Sequence, residues 1–351
     1  MRGGHDRASR PSAHASKSPT ALERDTLSDV LSAVRLSGAL FFLVDAGAPW
    51  RAEAPAGTSL APVILPRAQN IISYHLVIDG ECWCAMPGVP PLRLVAGDVI
   101  VIPHGDAYLL ANPRVPYVGS ELDALLSVFS DIATGALPRV LTEGGRGRAR
   151  LQLACGFMGC DSLPFNPVVA TLPRLVHLRP SDAPPNDRLR SLLDLALAES
   201  RDMRAGSDCV LVRLSELLFV ELVRSYVASL GADHTGWLAG LRDPIVARSL
   251  ALLHAQPARE WTVEQLARTI GVSRSALASR FAHFVGQPPM QYLTRWRMQI
   301  AARMLADSAE KVSAVAIHVG YDSEAAFSRA FKKAVGVPPA IWRSRSGHTF
   351  E

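Results

Sequence analysis

The C-terminal third of the chain carries one pattern twice, and this repeat restricts the fold more than any other feature of the sequence. GVSRSALASRFAHFVGQPP occupies residues 271–289, and GYDSEAAFSRAFKKAVGVPP occupies residues 320–339. In both copies a glycine precedes a serine that can accept a hydrogen bond from the first turn of a helix. Shorter helical patterns precede the glycines, at residues 263–269 and 312–319. The spacing therefore predicts two helix-turn-helix units.

Each predicted unit has an apolar side and a polar side. In the first unit the inner side chains are Leu266, Ile270, Leu277, Phe281 and Phe284, and the outward ones are Arg274, Ser275, Ala278, Ser279 and His283. In the second unit Phe327 and Phe331 face inward. A small, polar and basic outward face is what a helix entering the major groove of DNA requires.

The outward faces supply the candidate DNA contacts, which are Ser273, Arg274, Ser275, Ser279, Arg280, Ser323, Glu324, Ser328, Arg329, Lys332 and Lys333. Arg274 could donate two hydrogen bonds to a guanine edge, and Glu324 could accept one from cytosine. The long cations Arg280, Arg329, Lys332 and Lys333 are expected at phosphates, because they flank the helices and meet the DNA backbone before the bases. The alternative for each residue is a solvated helix face.

The distribution of charge also separates the two ends of the chain. The net charge is +5. Residues 242–345 contain 15 Lys and Arg against 7 Asp and Glu, whereas residues 1–241 contain 22 against 24. A basic segment attached to a near-neutral one indicates a polyanion partner for the first and a different role for the second.

The rest of the chain divides into a tail, a β-rich region and a helical region. Residues 1–22 have the composition of a disordered tail, and residues 27–36 predict a short amphipathic helix. The runs FFLV, VILP, IISYHLVI, ECWCAM, LRLV, DVIVIP and YLL between residues 39 and 178 predict short strands in a sandwich or small barrel. Residues 209–230 are apolar around most of a helix, so we expect them to pack on two sides or at a dimer interface.

These regions predict an α+β protein with two domains. We expect a β-barrel domain over residues 23–180 and a helical connector that dimerises over residues 181–240. An all-α domain with a double helix-turn-helix is expected over residues 241–345.

Two helix-turn-helix units in register, joined by the basic amphipathic helix PMQYLTRWRMQIAARMLA, resemble the AraC/XylS family of bacterial transcriptional regulators. The resemblance covers residues 243–343 and rests on Tyr292, Leu293, Arg297, Ala301, Gly320, Tyr321, Phe327, Ser328, Arg329, Phe331 and the closing GVPPAIWR. It implies that the linker helix sets two recognition helices into neighbouring major grooves, about 34 Å apart. Double-stranded DNA, RNA polymerase and a second copy of the chain are the implied partners, and transcriptional activation is the implied outcome.

The segment GDVIVIPHGDAYLLAN, residues 97–112, resembles the second cupin motif, with Tyr108 where the motif has its metal-binding histidine. The first motif retains only His75 and Glu81. LSDVLSAVRLSGALFF, YHLVIDGECW, PHGDAY, LACGF and DPIVARSLALLHAQPAREWTVEQLA together resemble the cupin-domain (cupin-6 type) subgroup of AraC regulators. The resemblance implies a cupin-like barrel that senses a small molecule, a metal or an oxidant.

A histidine and cysteine cluster is predicted inside that barrel. If Asp79-Gly80 is a two-residue hairpin turn, His75 pairs with Cys84 and Val77 with Cys82, so that His75, Cys82 and Cys84 share one face. His104 or Cys155 could complete the cluster. Such a set could bind zinc or sense oxidants, and the alternative is plain packing. Cys160 and Cys209 are expected to be structural.

Several kinds of protein are disfavoured by the sequence. Five irregularly spaced cysteines do not form a disulfide framework. The sequence has neither a membrane-spanning run nor an apolar core behind its basic N-terminus, so we expect a cytoplasmic protein without membrane association. It has no nucleophile elbow, phosphate loop or HExxH metal helix.

Three functions are left. A non-enzymatic regulator with a sensor barrel is favoured, with zinc as the one cofactor to test. The alternatives are a metal-dependent cupin enzyme fused to a DNA-binding domain and an effector-independent DNA binder.

Overall fold

The computed structural model describes residues 25–346 except 34–35, 67, 148, 161–164, 180–187, 203 and 232, and the predicted tail lies outside the described residues. Within them the strands are β1 (Leu36–Gly47), β2 (Trp50–Ala54), β3 (Asn70–Asp79), β4 (Glu81–Met86), β5 (Val89–Val95), β6 (Val99–Ile102), β7 (Tyr108–Asn112), β8 (Val140–Gly144), β9 (Arg150–Cys160) and β10 (Val176–Leu178). The helices are α1 (Thr26–Ala33), α2 (Gly57–Ile64), α3 (Leu122–Thr134), α4 (Pro167–Thr171), α5 (Arg188–Arg201), α6 (Ser207–Ser229), α7 (Trp237–Gly240), α8 (Pro244–Ala255), α9 (Val263–Ile270), α10 (Arg274–Val285), α11 (Pro289–Asp307), α12 (Val312–His318), α13 (Glu324–Val335) and α14 (Pro339–Ser346). None of these helices is both long and apolar enough to cross a membrane.

The strands form two facing sheets. The larger sheet has the order β10-β6-β3-β9-β1-β8, and the smaller has the order β2-β7-β4-β5. β1 pairs with β8 in parallel and with β9 antiparallel. Apolar side chains from both sheets fill the space between them, among them Phe42, Ile71, Leu94 and Leu110. The predicted small barrel is confirmed.

Two helices interrupt the region that the sequence assigns to strands. The run VILP overlaps the end of α2, which buries Leu60 and Ile64 on one side. A short apolar run of this kind fits a strand and a buried helix equally well, which explains the wrong prediction. α3 was not predicted, although the spacing of Leu125, Phe129 and Ile132 is the helical signal that could have found it.

The Asp79-Gly80 turn joins the two sheets instead of forming a hairpin. β3 pairs with β6 and β9, whereas β4 pairs with β5 and β7. The predicted pairing of His75 with Cys84 is therefore wrong. Gly80 has φ +81°, and a Cβ there would collide with the carbonyl oxygen of Arg150. The position therefore requires glycine, as a hairpin turn would, but here the chain leaves one sheet and enters the other.

The larger sheet is buried on both faces. Its outward side chains, such as Phe41 and Met158, belong to an apolar core that includes α5 and α6. The hydroxyl of Tyr74 on this face lies 3.3 Å from Ser215 Oγ of α6. The same core continues through α7, α8, α9 and α10 to the first half of α11. The first helix-turn-helix unit therefore shares its core with the barrel domain.

The second unit has a core of its own. α9 and α10 form the first unit, α12 and α13 form the second, and α11 joins them. Tyr292 and Trp296 in the first half of α11 belong to the shared core. Met298 and Leu305 in its second half pack with Phe331 in a separate cluster. The two units therefore meet along one helix, as the sequence predicts.

Tyr292 lies at the junction between the barrel domain and the first unit. Trp237 Nε1 donates a hydrogen bond to its hydroxyl at 3.0 Å, and the hydroxyl lies 2.7 Å from His254 Nε2. The ring of Phe165, from the barrel domain, meets it edge-on at 5.6 Å between centroids. Burial lowers the pKa of His254 to about 3, so the imidazole is neutral at neutral pH. One hydroxyl thus provides partners for two buried ring nitrogens.

We expect Tyr292→Phe to lower the free energy of unfolding by about 1–3 kcal/mol, because Trp237 Nε1 and His254 Nε2 would each lose a partner without access to water. Urea unfolding followed by circular dichroism measures the change. Tyr226→Phe, at a half-buried position on α6, is the control and should cost less than about 0.5 kcal/mol. Equal losses in the two variants would contradict the role of the Tyr292 hydroxyl.

Candidate DNA-binding surface and sensor cavity

Both predicted recognition helices, α10 and α13, begin at a capping serine. Ser273 Oγ accepts a hydrogen bond from the amide of Ala276 at 3.1 Å, and Ser323 Oγ accepts one from the amide of Ala326 at 3.2 Å. The predicted caps are confirmed. The hydroxyls of these two serines stabilise the first turns of their helices, and a contact with DNA stays a prediction for both.

The outward faces of the two helices present the remaining candidate contacts to solvent. The exposed ones are Arg274, Ser275, Ser279, Arg280, Glu324, Arg329, Lys332 and Lys333, and Ser328 is half-buried. In the part of the chain that the structure describes, the three cations of α13 form no ion pair. They are therefore available to a polyanion.

Arg274 is paired within the first unit. Its Nε lies 2.6 Å from Glu264 Oε1 of α9, and both side chains are mostly exposed. An exposed pair of this kind contributes roughly 0–1 kcal/mol. Breaking this pair therefore costs little, and the contact of Arg274 with a guanine edge stays a prediction.

Arg280 has a structural partner that the sequence did not indicate. Its Nε donates to Asp243 Oδ2 at 2.6 Å. The other oxygen of Asp243 accepts hydrogen bonds from the amides of Ile245 and Val246 and so caps α8. Arg280 thus ties α10 to the start of α8, and its contact with phosphate stays a prediction.

Arg297 of α11 connects the two units. Its guanidinium donates to the carbonyl oxygens of Pro257 at 2.7 Å and Arg259 at 2.9 Å, both in the loop before α9. It also donates to the carbonyl oxygen of Gly320, the turn glycine of the second unit, at 3.4 Å. A Cβ on Gly320 would collide with the carbonyl of Ala258, so the turn lies directly against that loop. One side chain therefore holds loops from both units at a fixed separation.

A cavity of about 240 Å³ lies inside the barrel, under α3. Most of its wall is apolar and includes Phe42, Leu110, Phe129 and Phe157. At one side Glu53 accepts hydrogen bonds from Arg51 at 2.8 Å and from the Ser120 hydroxyl at 2.6 Å. The sequence did not indicate this wall, because α3 supplies part of it and that helix was not predicted.

His75 and Tyr108 form a neutral hydrogen-bonded pair in the cavity wall. His75 Nε2 lies 2.6 Å from the Tyr108 hydroxyl. Burial lowers the pKa of His75 to about 3 and raises the pKa of Tyr108 well above its usual range. Tyr108 stands where the cupin motif has a metal-binding histidine, and its hydroxyl engages one of the two ring nitrogens of His75.

The predicted histidine and cysteine cluster does not form a metal site. Among the described residues, no group of three or more His, Cys, Asp or Glu side chains is arranged to hold a metal ion. Cys82, Cys84 and Cys155 belong to the apolar core of the barrel interior, and His75 lines the cavity beside Cys155. These side chains therefore face one interior, but from two different sheets, so the predicted shared face of a single sheet is wrong. Of the three alternatives for the cluster, plain packing agrees best with this arrangement.

Two further candidates for the metal site lie elsewhere. His104 is exposed, and its Nε2 bonds to the carbonyl oxygen of Leu172 at 2.9 Å. Glu81, the remaining acid of the first cupin motif, is exposed and pairs with Arg93. The residues present do not fit a cupin metal centre.

Burial disfavours the thiolate form of the barrel cysteines, which is the form that the redox alternative requires. Burial raises the pKa of Cys84 to about 12 and raises those of Cys82 and Cys155 as well. Buried, protonated thiols react slowly, because the thiolate is the nucleophile. Cys160 is buried as expected, whereas Cys209 on α6 is exposed and not a core residue.

Comparison with known proteins agrees with this arrangement. A family model described as a cupin matches residues 25–228, more than half of the chain, and a helix-turn-helix domain model matches residues 266–345. An AraC-like transcription regulator of Streptomyces lividans is 32% identical over 322 residues, which are 91% of this chain and 98% of that protein. The transcriptional regulator AlkR of Acinetobacter baylyi is 28% identical over 285 residues, 80% of this chain and 90% of that protein.

Among solved structures, the DNA-binding domain of AdpA in complex with a target DNA is 31% identical and covers 29% of this chain and 92% of its own, with a TM-score of 0.28. Two matched domains and a relative similar over nearly its whole length agree on one family. The chain belongs to the AraC-type transcriptional regulators, DNA-binding proteins that here combine an N-terminal cupin domain with a C-terminal double helix-turn-helix.

Proposed function

We propose that a small organic molecule binds inside the barrel and changes how the two helix-turn-helix units bind DNA. The protein acts beside the chromosome, in the cytoplasm, without catalysing a reaction. It recognises two major-groove elements about 34 Å apart, one turn of the duplex. One observation carries this proposal: the cavity and the core of the first unit lie on opposite faces of the same sheet.

The alternating side chains of β1 and β9 provide a route between the two faces. Phe42 and Phe157 line the cavity, and their neighbours Phe41 and Met158 belong to the core shared with the first unit. Because protein interiors are close-packed, a displacement of these strands by a ligand is felt on the outer face. A ligand then shifts the protein toward whichever arrangement it binds more tightly.

Two protein partners complete the proposal. From family membership we infer that the DNA-bound protein activates transcription through a contact with RNA polymerase. The second partner is another copy of this chain, bound at α6, where Val210 and Leu217 are 40% and 52% exposed. Arg213 and Glu221 lie four residues on either side of Leu217, on the same helix face. Antiparallel pairing of two copies about Leu217 would bring these opposite charges together, as a two-fold interface requires.

Selection of DNA fragments from the source genome tests the DNA-binding part of the proposal. The purified protein should enrich one bipartite site with its elements about one turn apart. Arg274→Ala should cost about 1–3 kcal/mol at that site and relax specificity at one position. Lys332→Ala, on the second unit, should weaken binding to selected and random DNA alike. It should also reduce the slope of log affinity against log salt concentration by about the amount that one phosphate contact contributes.

Enrichment of fragments without a shared motif would contradict sequence-specific binding. Equal losses on selected and random DNA would exclude Arg274 as a base reader. The selection is also run after mild oxidation and after chelation. A change of occupancy with either treatment would favour a redox or metal signal over an organic effector.

Arg297→Met should loosen the spacing requirement, because Arg297 holds loops of both units through three carbonyl oxygens. When one or two base pairs are inserted between the elements, the wild type should lose affinity steeply and the variant should lose less. At the native spacing the variant should bind up to about tenfold more weakly than the wild type. Arg303→Met, on the same helix, is the control. The Nε of Arg303 lies 3.6 Å from Asp307 Oδ2, within α11 itself. Identical spacing profiles for wild type and Arg297→Met would overturn this role.

Leu217→Glu should convert the dimer to a monomer, because it places a charge at the centre of the proposed contact. Sedimentation equilibrium at micromolar concentration measures the mass. Arg213→Glu should weaken the dimer as well, and Glu221→Arg in the same chain should restore it. A wild type that is already monomeric under these conditions would contradict the interface.

A further inference from the structure

Two buried ring nitrogens belong to residues of the cavity wall. Trp50 and His75 both line the cavity, and they are 5% and 3% exposed. Among the residues that the structure describes, none provides a hydrogen-bond partner for Trp50 Nε1 or His75 Nδ1. A buried polar atom without a partner costs about 1–3 kcal/mol, so two of them beside one cavity indicate a missing ligand group.

Trp50 has the clearer requirement of the two. An indole Nε1 can only donate, so this nitrogen calls for an acceptor. His75 Nε2 lies 2.6 Å from the Tyr108 hydroxyl, and either atom can be the donor in that bond. Nδ1 of the neutral imidazole accordingly donates in one tautomer and accepts in the other.

The buried side chains that line the cavity, among the described residues, carry no unpaired charge. Glu53 and Arg51 bond to each other, and Ser120 adds two further donors to Glu53. His75 is neutral. Glu143, the other acid of the wall, is exposed to solvent. A buried ionic group on a ligand would lose its hydration without gaining a counter-ion.

We propose that the cavity binds an uncharged, mainly apolar molecule that carries a carbonyl or similar acceptor oxygen, held by the N–H group of Trp50. This inference rests on the proposed sensor role of the barrel. The volume of the cavity suits a compact molecule, since about 240 Å³ is several times the roughly 30 Å³ that one water occupies. Val128 of α3 lines the cavity and is 46% exposed, so the entrance lies beside it.

Four small aromatic probes of similar shape test the ligand class by calorimetry on the full-length protein. They are acetophenone, which has the acceptor, ethylbenzene, which lacks it, and the charged benzoate and benzylammonium. Acetophenone should bind about tenfold more tightly than ethylbenzene, because the added hydrogen bond satisfies a buried donor, and tenfold corresponds to about 1.4 kcal/mol. Benzoate and benzylammonium should bind more weakly than either.

Three variants locate the site. Trp50→Phe keeps a ring but removes the donor, and it should reduce the preference for acetophenone over ethylbenzene to about twofold or less. Val128→Trp should fill the entrance and weaken all four probes. Leu122→Trp is the matched control, because Leu122 is an equally exposed residue of α3 that does not line the cavity.

The outcomes separate the ligand class from the sensing role. Tightest binding by a charged probe, equal binding of acetophenone and ethylbenzene, or no binding of any probe would overturn the inference. Binding that Val128→Trp leaves unchanged would also overturn it. If acetophenone binds as expected but alters neither affinity for the selected DNA site nor its spacing preference, the ligand class stands and the proposed coupling to DNA fails.

Discussion

The six-stranded sheet is the element on which the rest of the structure depends, because both of its faces are buried. One face closes the cavity, and the other supplies the outer layer of a core that reaches through α6 to α11. Tyr74 illustrates how tightly the layers fit. Its ring lies over Gly156 of β9, where any Cβ would collide with it, and its hydroxyl reaches Ser215 on α6. A sheet held in this way cannot adjust on one side alone.

The unequal packing of the two helix-turn-helix units follows from this core. The first unit is continuous with the barrel domain through Tyr292 and Phe165, whereas the second has a separate cluster around Phe327 and Phe331. The barrel domain thus packs directly on the first unit. The first unit meets the second along α11, through the guanidinium of Arg297, and where the Gly320 turn lies against Ala258. The relative position of the two units thus depends on one helix and on these loop contacts.

The parts that the sequence predicted correctly are those set by local patterns. Ser273 and Ser323 cap their helices as their spacing indicates, because a cap involves only the next three residues. The Asp79-Gly80 turn shows where local reasoning stops. The same two residues suit a hairpin and a crossing between sheets, and the choice depends on β9 and β6, which are distant in sequence. His75 and Cys84 nevertheless face the same interior, because the alternation of side chains along a strand does not depend on its partner.

Tyr108, which stands where the cupin motif has a metal-binding histidine, is also part of the cavity wall. A histidine at position 108 could have joined His75 at a metal ion, but the tyrosine hydroxyl instead engages His75 Nε2 and fixes the ring. Since burial lowers the pKa of this imidazole to about 3, it has no charge with which to hold an anion. Trp50 supplies an indole N–H group in the same wall, among aromatic and aliphatic side chains. A neutral imidazole and an unpartnered indole N–H in an apolar wall suit a neutral molecule with an acceptor oxygen better than they suit a metal ion or an anion, which is why we place an organic ligand there.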